Sequence, residues 1–121
     1  MAVSIEDLIN KKAEIQQGKK QQYDIETSIG TVTVQIPKRS ILLDSQGLKD
    51  TDADAYLVYQ SVVEPDLSNR KLQQAYGCGE PTDIVVALFL PGEINALSTK
   101  IMKLAGFSRD IEAKVHEDLK N

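Results

Sequence analysis

Residues Ile84 to Leu90 form an unbroken apolar block, Ile-Val-Val-Ala-Leu-Phe-Leu, which stops at Pro91-Gly92-Glu93. A helix that is apolar on every side must be wholly buried. A central buried strand leaves the same signature, because periodicity does not separate the two. The helix is the preferred reading, since the only other strand signal is one remote hairpin. Pro91 breaks or kinks the chain and suits the first position of a new helix. Along that helix Ile94, Leu97, Ile101 and Leu104 recur at spacings of three, four and three, and Gly106 ends it. A bilayer span needs about 20 apolar residues, and the block has only seven.

Elsewhere the pattern is mostly helical. Ser4 reads as an N-cap with Asp7 three residues on, and Ile5, Leu8, Ile9 and Ile15 follow at helical spacing. Gly18 with Lys19-Lys20 suits the C-terminal stop. From Tyr23 the period changes to two: Tyr23, Ile25, Thr27, then Gly30, then Val32, Val34, Ile36. That alternation predicts a β-hairpin closed by Pro37, whose apolar face must pack on something else. Ile41-Leu42-Leu43 forms a patch closed by Gly47. Asp50, Asp52 and Asp54 open a helix carrying Tyr56, Tyr59 and Val63, flanked by Ala55, Val58 and Val62 and stopped by Pro65. Ser68 is expected to cap a short helix with Leu72, Ala75 and Tyr76, ended by Gly77. Ser108 is expected to cap a last, polar helix with a thin stripe of Ile111, Val115 and Leu119.

The chain has 121 residues, the size of one domain. The expected division is an N-terminal helix and hairpin over 1–37, a helical core over 38–107 and a polar terminal helix over 108–121. The expected fold class is α+β, predominantly α-helical, with a helical bundle-like core and one N-terminal β-hairpin. A net charge of −4 argues against a nucleic-acid binder held by phosphate contacts and against docking on an anionic membrane. One cysteine allows no internal disulfide, and Glu6 and Asp7 interrupt any leader-like apolar stretch. The expectation is a soluble chain of a reducing cytoplasm.

Motifs for catalysis are missing. Cys78 between two glycines lacks a base to generate thiolate, since the single histidine, His116, is remote in sequence. One Cys and one His do not make a zinc site. Asp50-Thr51-Asp52-Ala53-Asp54 resembles the opening of a calcium loop, but Ala55 stands where Gly is needed and Ser61 where the bidentate Glu is needed. Acidic helix capping is the better reading. Glu93 reads as a first-turn acid supporting the helix from Pro91, against the alternative of a polar contact to a partner. No cofactor is expected.

An ordered series of short pieces carries a resemblance. Ile36-Pro37-Lys38, Tyr56-Leu57-Val58, Pro65-Asp66-Leu67, Leu72 with Tyr76-Gly77, Pro81-Thr82-Asp83, Leu88 to Ile94 and Leu104-Ala105-Gly106-Phe107 together resemble the XkdN-like tail assembly chaperones of phages and prophages of Gram-positive bacteria. The resemblance covers Tyr23 to Phe107. It implies a non-enzymatic protein that binds the long, helical tape measure protein and helps tail tube subunits polymerise around it. It also implies residence in the bacterial host cytoplasm and absence from the finished virion. Such families often make a second, longer product by programmed frameshifting. The resemblance brings no catalytic residues.

Ile94, Leu97, Ile101, Leu104 and Phe107 are the candidate partner-binding residues, with a homo-oligomer as a further use of apolar surface. The same stripe is otherwise simply core. The hairpin edge is the other candidate contact. Alternative functions are a structural head–tail or tail completion protein and a small regulatory binding protein.

Overall fold

The computed structural model describes residues 2–107 and 109–116. The chain opens with two short helices, α1 (Ile5–Asn10) and α2 (Lys12–Lys19), separated only by Lys11. Ser4 caps α1 as expected: its hydroxyl oxygen accepts the Asp7 N–H at 3.0 Å. Strands β1 (Gln22–Thr27) and β2 (Gly30–Gln35) form the expected hairpin, pairing Ile25 with Val32 and Tyr23 with Val34. Gly30 closes the turn with φ +119°, a conformation costly for any residue with a Cβ.

Helices α3 (Arg39–Gln46) and α4 (Asp50–Ser61) follow. The Asp50 to Asp54 stretch is thus the opening of a helix, not a metal-binding loop. The chain then turns into a third strand, β3 (Val62–Glu64), before α5 (Arg70–Ala75), α6 (Asp83–Leu88) and α7 (Pro91–Leu104).

β3 overturns the expected architecture. The structure has no bundle with a separate N-terminal hairpin. It has a three-stranded antiparallel sheet in the order β1-β2-β3, whose third strand comes from the middle of the chain. Val62 and Val63 continue the helical spacing of Ala55 and Val58, which disguises them as the end of α4. Two physical facts favour extension instead. β-Branched pairs suit strands, and Glu64 precedes Pro65, which pushes it out of the helical region. β2 also needs a partner on its second side. The register shifts between Thr33 and Val34, so three residues of β3 face two of β2. Val62 is buried while Val63 is exposed.

The core is one cluster. Val32 and Val34 of the sheet pack with Leu57 and Val58 of α4, Leu67, Ile84 and Val85 of α6, Phe89, and Leu97 and Ile101 of α7. The apolar block is not wholly buried, which corrects a second expectation. Ile84, Val85 and Phe89 point inward, but Val86 is 65% exposed and Leu90 is exposed too. The helix ends at Leu88, with Phe89 and Leu90 extended before Pro91. A six-residue helix with one neighbour side has a solvent side even when every residue is apolar.

Two smaller expectations change. Asn69, not Ser68, caps α5: its side-chain oxygen accepts the Leu72 N–H at 3.0 Å, while Ser68 is held by Asp66. Residues 109–116 form no helix, and Ile111 and Val115 are exposed. A thin stripe with no surface to pack on does not sustain a short helix in water. Ser108 and Leu119 lie outside the described residues.

Candidate functional site

Two parts of the surface stand out as candidate interaction sites. The first is the N-terminal arm, α1 and α2. Ile5, Leu8 and Ile9 of α1 and Ile15 of α2 recur at helical spacing, which normally marks a face turned to a core. Here they face solvent, with Ile5 75% and Ile9 67% exposed. Among the described residues the arm buries no side chain, and its only substantial helix contact is internal, α1 against α2. Helices of six and eight residues are marginal in water alone. The stripe therefore lacks the cover that would justify its composition.

The second is a groove of about 590 Å³ where the end of α2, the end of β2 and the start of α3 meet. Ile36, Pro37, Leu42 and Ala105 supply apolar lining, and Lys19, Lys20, Lys38 and Arg39 supply positive charge. The groove is reached from the arm, since Gln16 and Lys19 belong to α2. A smaller crevice of about 190 Å³ lies between α4 and the α6–α7 corner, lined by Val86, Phe89 and Ile94 among others.

The stripe of α7 divides on inspection. Leu97 (3% exposed) and Ile101 (1%) are core residues, Ile94 and Leu104 are half-buried, and Phe107 is exposed. The five candidates thus do not form one surface: only Ile94, Leu104 and Phe107 offer any area to a partner. Of the hairpin, β1 is the outer strand of the sheet and presents a free edge.

Polar contacts lock α7 to its neighbours. Asp54 of α4 accepts the Ser98 hydroxyl at 2.9 Å and the Asn95 amide at 3.2 Å. Glu93 takes both donors of Ser28 at the hairpin turn: the backbone N–H at 2.7 Å and the hydroxyl at 2.6 Å. Those two bonds hold the Glu93 carboxyl below its ordinary pKa, against partial desolvation, with the Leu90 backbone adding a smaller lowering. Glu93 thus makes its polar contact within its own chain. Cys78 is half-buried in the loop between α5 and α6. Among the described residues no cluster of three His, Cys, Asp or Glu side chains is placed to hold a metal.

Sequence reading identified the arm as a helix but assigned it no binding role. The signal was present, because Ile5, Leu8, Ile9 and Ile15 are a stripe on a segment only two short helices long. It missed the groove altogether, since Lys38 and Arg39 meet Lys19 and Lys20 only through the fold.

The described residues thus form a small α+β fold with an exposed apolar arm and a cation-rimmed groove. The chain belongs to the XkdN-like phage tail assembly chaperones, whose family model matches residues 4–120. That membership implies interaction with phage tail components. No curated protein and no solved structure matches the chain.

Proposed function

We propose that the chain binds the tape measure protein of a tailed phage, keeps it soluble, and promotes polymerisation of tail tube protein around it, without catalysing a reaction. One observation carries this reading beyond family membership: Ile5, Leu8, Ile9 and Ile15 are exposed, and none of the described residues covers them. A chaperone for a long apolar helical client needs such a surface, and enough net charge to stay dissolved. The −4 charge of this chain supplies the second requirement. Action in the host cytoplasm, absence from the mature virion and self-association through the same stripe belong to the proposal.

Co-expression with the tape measure protein of a tailed phage that carries this chain tests it. The expected result is a soluble client that co-purifies with the chain. A client that stays insoluble and does not co-purify overturns the reading. Stoichiometric recovery of the chain from purified virions would favour a structural tail protein instead. A turnover activity lost in Cys78→Ala would overturn the non-catalytic part.

A further inference from the structure

We propose that the groove between α2, β2 and α3 binds an amphipathic helix whose apolar stripe is flanked by carboxylates. The chemistry is argued from the groove itself and rests on the tape-measure reading only for the supplier of that helix.

The first observation is charge. The chain carries 18 acids against 14 lysines and arginines, yet among the described residues four of those cations line this one groove and no carboxylate does. Like charges gathered around one depression repel one another and raise a positive potential there. An acidic occupant relieves both.

The second observation is placement. Lys38 is the N-cap of α3 and Arg39 its first residue, and Lys38 makes no side-chain capping bond. The start of a helix carries the positive end of its dipole, so cations there oppose it. Stability alone would put Ser, Thr, Asp or Asn at the cap. Neither cation contributes a cap to α3, and both line the groove. Lys19 and Lys20 need no such account, because they sit at the favourable end of α2.

The third observation is the lining. Ile36 and Leu42 are half-buried apolar residues, suited to the side chains of one helix face. Among the described residues the groove presents no aromatic ring on which a base could stack, which disfavours a nucleic acid as the occupant.

The test uses two synthetic helical peptides with the same leucine stripe, one flanked by Glu and one by Lys, titrated into the full chain by fluorescence anisotropy. The Glu peptide is expected to bind tighter by about tenfold or more, and to weaken as salt is added. Lys38→Glu with Arg39→Glu should reverse the preference. The double variant should also keep or raise the thermal midpoint, because acids suit the start of α3. Equal binding of the two peptides, or a preference that survives the double reversal, overturns the proposal. So does an oligonucleotide that displaces the Glu peptide at equal concentration. Co-purification with the tape measure protein separates the two readings. If the peptide preference holds but the tape measure protein does not bind, the functional reading falls and the groove stands. If the tape measure protein binds but the two peptides bind equally, the groove proposal falls and the functional reading stands.

Discussion

Glu93 and Ser28 are 65 residues apart and meet through two short hydrogen bonds. A carboxylate accepting two donors is stronger than a neutral pair. Because the folded pKa of Glu93 lies below its ordinary 4.5, its contribution to stability is full above that value. It is lost as pH falls through the folded pKa. Glu93→Gln is therefore expected to destabilise the chain near neutrality, with the gap to wild type shrinking in acid, as read by urea unfolding at a series of pH values. A gap independent of pH would show that the charge contributes nothing. The sequence revealed Glu93 as a first-turn acid of α7, because that role depends on local position. It did not reveal Ser28 as the partner, because pairing across the fold leaves no periodic trace. Ser61 is the opposite case. Its hydroxyl is buried with no hydrogen-bond partner among the described residues. An unpaired buried hydroxyl costs about 1–3 kcal/mol. Ser61→Ala is expected to leave stability unchanged or raise it by about 1 kcal/mol, measured by thermal or urea unfolding. A clear loss would mean that the hydroxyl has a partner.

Whole elements were legible where one pattern governed them. The hairpin, the start of α1 and the span of α7 follow from alternation, a capping serine and a proline at the first helical turn. Misreadings came where two patterns share residues. Val62 satisfies both the helical spacing of α4 and the strand spacing of β3, and only the neighbouring Pro65 and the open side of β2 decide between them. The terminal stripe of Ile111 and Val115 had the right spacing but no surface to bury it. Burial is likewise a property of neighbours. Ile101 and Ile9 are both isoleucines on amphipathic helices, yet one is 1% exposed and the other 67%. Ile101→Ala should cost about 2–5 kcal/mol. Ile9→Ala should stay within about 0.5 kcal/mol. Parallel urea titrations decide, and equal losses would mean that the arm packs on the body after all.

At the scale of the molecule the described residues separate into a packed body and an exposed apolar arm. Leu8→Asp with Ile9→Asp is expected to leave the thermal midpoint of the free chain nearly unchanged, since neither side chain is buried. The same variant should lose co-purification of the tape measure protein. Retained co-purification would move the client elsewhere on the surface. Leu97→Asp makes the complementary control, because Leu97 belongs to the core and should fail by unfolding. The candidate site was the least legible feature, because an uncovered stripe and a core-facing stripe have identical spacing. One more consequence follows from the far end of the chain. Residues 109–116 leave α7 without forming helix or strand, and their side chains are exposed. At about 3.3–3.6 Å per residue, this stretch reaches at most about 29 Å. None of its side chains is buried in the body. Replacing the exposed Ile111 and Val115 by Ser should therefore leave the melting temperature of the chain unchanged.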